Sequence, residues 1–153
     1  MLVAGSAEGV CAVFFGEHEQ PLVAELRREQ QAEPLRDDAL VLPWAEAVIS
    51  LIEGRWDTPP VPLLLRGSAF QRRVWAALQA IPPGTTRTYR ELAVSLGMPT
   101  AARAVARGCA TNALSVLIPC HRIIRSDGQL GGYRWGLQRK RFLLERERLH
   151  AAR

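Results

Sequence analysis

A thiol, an imidazole and a guanidinium stand at successive positions in Pro119-Cys120-His121-Arg122. Cysteine attacks carbon as the thiolate, which forms only where a base, a cation or an oriented dipole favours it. The two residues after Cys120 supply a base and a fixed cation. A polarizable sulfur of this kind carries out nucleophilic substitution without a metal. Ahead of it, the apolar, β-branched run from Leu114 reads as a buried strand that ends at Pro119, because proline has no N–H to give the ladder. Cys120 is therefore expected where regular structure breaks off. Adjacent residues of an extended chain face opposite ways, so His121 is expected to reach the thiol through a water. The same tetrapeptide also fits an inert core cysteine, and the rest of the chain has to decide.

Charge is strongly segregated. Residues 1–66 carry five arginines and eleven acids, a net −6, while residues 67–153 carry fifteen basic and four acidic residues, a net +11. Nineteen of the twenty basic residues are arginine, the side chain suited to bidentate phosphate contacts, so the second half predicts a polyanionic partner. The domain boundary is placed near Arg66, just after the proline-stiffened stretch Asp57 to Pro62. At 153 residues and 48% hydrophobic, the chain is long enough for one domain or two small ones. No apolar stretch approaches the roughly 18 to 20 residues that span a bilayer, and the N-terminus lacks signal-peptide composition, so a cytoplasmic protein with no membrane partner is expected. Cys11, Cys109 and Cys120 are odd in number and widely spaced, which argues for free thiols over a disulfide framework or zinc ribbon. The Gly-rich stretch Asp127 to Gly136 fits neither a phosphate loop nor a dinucleotide fingerprint, and no cofactor is expected.

The elements that must position these groups are legible in outline. Leu2 to Ala4 and Val10 to Phe15 flank a turn-forming segment and predict a hairpin. Helical spacing over Pro21 to Gln31 and Trp44 to Ile52, with Pro43 as a first-turn proline and Gly54 as a stop, predicts two amphipathic helices covering it. In the second half, Ser68 with Gln71 and Thr88 with Glu91 have capping-box spacing and start two helices, ended by Ile81-Pro82-Pro83-Gly84 and by Gly97. Thr100 is placed to cap a third helix, Ala101 to Ala110. Two helices across a short glycine-containing turn predict a helix-turn-helix. The third helix is nearly all small residues, so only Arg103 and Arg107 could read base edges. Close approach to the minor groove, with a wedge side chain, suits it better. A basic helix from Leu137 to Leu149 closes the chain, with Phe142 and Leu144 available to the core and Glu147 able to offset the Cys/His region or pair with an arginine.

Pro119-Cys120-His121-Arg122 after its apolar run, Asn112 before it, and the Gly132-Tyr133-Arg134-Trp135-Gly136 loop and Arg139-Lys140 to Glu147 helix after it resemble the O6-alkylguanine-DNA alkyltransferases, in particular those of the Ada type. The resemblance covers nearly the whole chain. It implies an α/β N-terminal ribonuclease-H-like domain, residues 1–66, and a mainly α C-terminal winged-helix-like domain, residues 67–153. It implies single-turnover DNA repair, in which a lesion base is flipped from duplex DNA and its O6 alkyl group passes to Cys120. His121 and Glu147 then match the base and its orienting partner, Tyr89 the proton donor to guanine N3, and Asn112 the tie between recognition segment and active-site turn. Arg103 matches the side chain that fills the vacated stack. Thr100, Ala104, Arg107 and Arg122 join it and Tyr89 on the DNA. Tyr133, the Arg134 amide, Trp135, the Ile123 carbonyl and Cys109 match the lesion pocket, where Trp135 is expected to restrict benzyl-sized adducts. Double-stranded DNA bearing alkylated guanine is the implied partner, met by a monomer.

Two departures shape these expectations. Ser6 stands where zinc-bearing relatives have a cysteine, leaving Cys11 and His18 as an incomplete set, so no structural metal is expected. The Cys-rich phosphotriester-repair domain of Ada-type proteins is absent from this sequence, which leaves open a role as a fragment of a longer chain. Against the repair reading stand a damage sensor of the alkyltransferase-like kind, which lacks the acceptor cysteine, a helix-turn-helix regulator, and a cysteine hydrolase, which would need an oxyanion hole.

Overall fold

The computed structural model describes residues 1–152. Strand β1 (Leu2–Ser6) pairs antiparallel with β2 (Gly9–Phe14), each strand a residue or two different in extent from its sequence pattern. Ala4 pairs with Ala12 and Gly5 with Val10, so Cys11 is the extra residue of a bulge. A side chain at position 5 would not fit, since a Cβ there would lie 2.5 Å from the Gly9 carbonyl oxygen and 2.7 Å from the Trp44 ring. Because side chains alternate along a strand, β2 is buried on both faces. Val10 and Val13 enter the main core with Val48, and Ala12 and Phe14 form a second cluster with Leu22 and Leu26.

Helix α1 (Glu19–Gln30) supplies that second cluster and α2 (Asp38–Ile52) covers the other face. Pro43 is not a first-turn residue of α2, which begins five residues earlier, where the Asp37 side chain accepts from the Leu40 N–H. The cap outweighs the proline here, whose missing hydrogen bond lies within the first two turns.

The connector after α2 is more than a linker. The Val10 N–H donates to the Pro62 carbonyl at 2.8 Å and the Leu64 N–H to the Val10 carbonyl at 2.8 Å, so Leu63 adds a parallel bridge to β2. The second half adds another, with the Val13 N–H on the Ala113 carbonyl at 2.8 Å and Leu114 beside Val13. One core cluster accordingly runs from Val10 and Val48 through Val74, Trp75 and Leu78 to Ile118 and Ile123.

In the second half, α3 (Ala69–Gln79) and α4 (Tyr89–Ser95) start at the capping boxes Ser68/Gln71 and Thr88/Glu91, with both reciprocal hydrogen bonds present. Helix α5 (Ala102–Ala110) is capped at Ala101 without a side-chain bond, so Thr100 is an exposed turn residue and not the cap. Strand β3 (Arg87–Thr88) pairs parallel with β4 (Ile123–Ile124). Residues 114–118 do not form the expected strand. The Ile118 N–H returns to the Leu114 carbonyl at 2.8 Å and the Leu117 N–H to Ser115 at 2.8 Å, with Val116 at φ 72°. The apolar run is a buried tight turn because its backbone groups satisfy one another across four residues instead of across a sheet. Helix α6 (Leu137–Ala151) buries Leu143, Lys140 and Glu147; Leu144 is half-buried and Phe142, expected in the core, is 53% exposed. No described helix is long and apolar enough to cross a membrane.

Candidate active site

Cys120 opens a single 3-10 turn, Cys120–Arg122, between the buried 114–118 turn and β4. Asn112 holds it from behind. Its Nδ2 donates to the Ile118 carbonyl at 2.9 Å and to Cys120 Sγ at 3.2 Å, and its Oδ1 accepts the Leu114 N–H at 2.9 Å. One amide 2% exposed thus fixes both ends of the turn and the sulfur. Burial pushes the Cys120 thiol up, against the Asn112 hydrogen bond and the positive charge of Lys140, so the resting group is the protonated thiol.

The next residue is a buried imidazole. His121, 1% exposed, places Nε2 at 2.7 Å from Glu147 Oε1 while its Nδ1 is buried with no partner among the described residues. Burial holds the imidazole below its usual pKa despite the carboxylate. The neutral ring therefore donates Nε2–H to Glu147 and presents a bare Nδ1 lone pair. Burial alone would raise Glu147, but hydrogen bonds from His121 and Arg122 and the fixed charge of Arg122 hold it at about 2.

Arg122, expected on DNA, is instead buried against α6. It is 8% exposed, its Nε and Nη2 grip Glu147 at 2.7–3.1 Å, and its Nη1 donates to the Ile81 carbonyl at 2.6 Å. A 3-10 turn, unlike an extended strand, points Arg122 inward to α6, where it supplies the counter-charge for the buried carboxylate. The Gly84 N–H adds a further bond to Glu147 at 3.2 Å.

Tyr89, first residue of α4, is half-buried, and burial with the nearby Cys109 and Cys120 pushes its hydroxyl up to about 12, so it remains a donor at neutral pH. A Cβ on Gly131, which sits at φ +72°, would lie 3.0 Å from that hydroxyl oxygen, so the loop backbone passes against it. Tyr133 carries a buried hydroxyl beside Ser115, raised far above its usual range by burial. Cys109 belongs to the same group, its thiol pushed up to about 12 by burial with Cys120 nearby. Trp135, expected to restrict adduct size, is anchored toward the hairpin. Its ring packs on Phe14 at 5.0 Å and its Nε1 donates to Ser115 Oγ, contacts that tie the loop to the hairpin.

The composition-based reading passed over Lys140. It is the chain's single lysine, 0% exposed, and its ammonium donates to the carbonyls of Ile123 at 2.5 Å, Gly132 at 3.1 Å and Leu130. The Ile123 carbonyl, expected to receive the base's exocyclic amine, already has one lone pair engaged. The sequence did hold a signal, since one lysine among nineteen arginines marks a place where a compact ammonium was needed and a planar fork was not.

Arg103 and Arg107 lie one turn apart on the exposed side of α5, without an ion pair among the described residues, and Thr100 and the half-exposed Ala104 share that surface. The opposite side, Val105, Gly108 and Cys109, is buried, and Gly108 offers its carbonyl to Trp75 Nε1 at 3.0 Å. Small residues thus serve the contact with α3 as well as the outer face. Cys11 is a free thiol far along the sequence from Cys120, and among the described residues no cluster of three His, Cys, Asp or Glu is placed to hold a metal ion.

Residues 69–149 match the family model described as 6-O-methylguanine DNA methyltransferase, DNA binding domain, and the chain belongs to that family. It is 47% identical over 151 residues to the bifunctional transcriptional activator/DNA repair enzyme Ada of Escherichia coli, a match covering 95% of this chain and 42% of that protein. It is 38% identical over 147 residues to the methylated-DNA–protein-cysteine methyltransferase of Methanosarcina barkeri, covering 96% of this chain and 89% of the relative. The crystal structure of Mycobacterium tuberculosis OGT in complex with DNA superposes with a TM-score of 0.81 at 34% identity, over 97% of this chain and 86% of that one. The chain thus spans less than half the length of the Ada relative.

Proposed function

We propose that the chain repairs alkylated duplex DNA by moving a methyl or larger alkyl group from guanine O6, and from thymine O4, onto Cys120 in a single irreversible turnover. The observation that carries this reading is an Asn112-held thiol followed in the chain by a buried, neutral His121 that bonds Glu147 through Nε2 and leaves Nδ1 free among the described residues. The thiol proton passes to His121, directly or through water. The thiolate then forms the S–C bond as the C–O6 bond breaks, and the electron pair moves into the purine. Tyr89 gives a proton to ring N3, improving the leaving group, and is reprotonated from solvent as His121 releases the thiol proton to solvent. The net change moves the alkyl group to sulfur and the thiol proton to guanine. A thioether has no route back among these residues, so the protein is consumed.

Chemistry at O6 requires the base to leave the stack, which costs a few kcal/mol. On this reading α4 and α5 enter the minor groove as the paired helices of a winged-helix-like unit, and Arg103 fills the gap. The thiol is only 8% exposed, so the 125–136 loop and Tyr89 make room as the base arrives. The hairpin with its two helices supports a ribonuclease-H-like description of residues 1–66, joined through a common core to residues 67–153. The protein acts as a monomer on DNA in the cytoplasm. Incubation with a duplex carrying one O6-methylguanine should add one methyl mass at Cys120. More lesions repaired than protein supplied, or a methyl on another residue, would overturn the proposal.

A further inference from the structure

The transfer reading leaves one cluster unexplained, and the inference drawn from it rests on that reading while adding how the first half of the chain takes part. Arg134 follows Tyr133 in the loop, yet its side chain turns away to the hairpin and α1. The guanidinium lies 4.7 Å from the centre of the Phe14 ring and 4.6 Å from that of Trp135. Its Nη2 donates to Glu25 Oε1 at 3.2 Å and to Glu29. Glu25 and Glu29 are one helical turn apart, so α1 presents both carboxylates on one side. The arginine side chain is 16% exposed and each carboxylate 29%.

The neighbouring residue is tied the same way. The Trp135 carbonyl accepts Arg139 Nη1 at 3.1 Å, and Arg139 Nη2 reaches Glu17 at 2.8 Å. The loop is therefore gripped from the N-terminal half at Arg134 and Trp135, the two residues that follow Tyr133 and its buried hydroxyl. A guanidinium set between two rings and two carboxylates fixes direction as well as distance, because the planar fork allows few alternative geometries. Its positive charge also favours the Cys120 thiolate.

The geometry points to Arg134 as a positioning residue through which the acidic side of α1 holds the lesion-pocket loop from behind, so that the first half of the chain sets the rate of alkyl transfer while the second half sets DNA affinity. Misplacement of a reacting group by about 1 Å costs up to about 100-fold in rate, so loosening this grip is expected to slow transfer between about 10- and 100-fold.

The test compares wild type, Glu25→Gln/Glu29→Gln, Arg134→Met and Arg134→Lys, with Glu33→Gln as a control for lost negative charge on an exposed pair that does not touch the loop. Single-turnover transfer is timed at saturating duplex carrying O6-methylguanine, and affinity for the undamaged duplex is measured separately by fluorescence anisotropy. Slower saturated transfer in the double glutamine variant and in Arg134→Met, with undamaged-duplex affinity within about twofold of wild type and partial recovery in Arg134→Lys, supports the inference. A saturated rate equal to wild type in the double glutamine variant overturns it. So does an equal loss in Arg134→Lys and Arg134→Met, or a loss confined to DNA affinity. If the double variant does not fold, Glu29→Asp, which keeps the charge but withdraws it by one carbon, is read against the same criteria. Wild type that transfers no methyl refutes the repair reading itself, a result separate from any of these.

Discussion

At the scale of single residues, the site is an exercise in leaving one polar atom unpaired. Asn112 spends both ends of its amide on Leu114, Ile118 and Cys120, while His121 spends one nitrogen on Glu147 and keeps the other bare. Asn112→Ala should therefore do two things at once. It leaves a buried N–H and carbonyl without partners, costing about 2 kcal/mol in denaturant unfolding, and it releases the sulfur, slowing transfer measured at saturating DNA. A stability loss with an unchanged transfer rate would show that the hydrogen bond to Cys120 has no part in aiming the thiol. What was legible at this scale is that a thiol, an imidazole and a guanidinium stand side by side in Pro119-Cys120-His121-Arg122. The fate of Arg122 was not legible: whether an arginine meets phosphate or a buried carboxylate depends on α6, twenty-five residues further on.

At the scale of elements, capping boxes and glycine stops located α3 and α4 almost to the residue, because those signals are local. The segment 114–118 misled because an apolar, β-branched run announces burial but not partner, and here the backbone closes on itself. Lys140 on α6 is the clearest case of an element working at a distance. Its ammonium gathers carbonyls from β4 and from two points of the loop, with no carboxylate among its hydrogen-bond partners. Lys140→Met fills the same space without donors, and is expected to cost about 3 kcal/mol and to raise proteolytic cleavage between residues 125 and 136. Arg at this position should be no substitute, since its larger fork does not fit a site sized for a single nitrogen. A loop as resistant to protease in Lys140→Met as in wild type would show that the carbonyls are held by other means.

At the scale of the whole molecule, stability is tied to acid through the buried trio of His121, Arg122 and Glu147. Glu147 is depressed from 4.5 to about 2, so the folded state resists its protonation, and the stability it contributes is present above 4.5 and lost as pH falls toward 2. His121 is likewise lowered from 6.5 by burial, so the unfolded chain binds its proton first and stability begins to drop below 6.5. Thermal unfolding recorded from neutral pH down to about 3 should show a midpoint that falls throughout, with the Glu147 share on the order of 2 kcal/mol after screening. A flat profile between 6.5 and 4.5 would mean that His121 carries its proton in the folded state. The opposed net charges of the two halves suggested separable parts, but charge reports on surfaces, and the interior was not visible in it. Strand β2 takes rungs from the connector on one stretch and from Ala113 on another. Severed at the connector, neither piece would keep a closed sheet edge or a finished interior, so alkyl acceptance would return only as the two fragments reassembled mole for mole, making the lesion-reactive state a property of their complex and of neither alone.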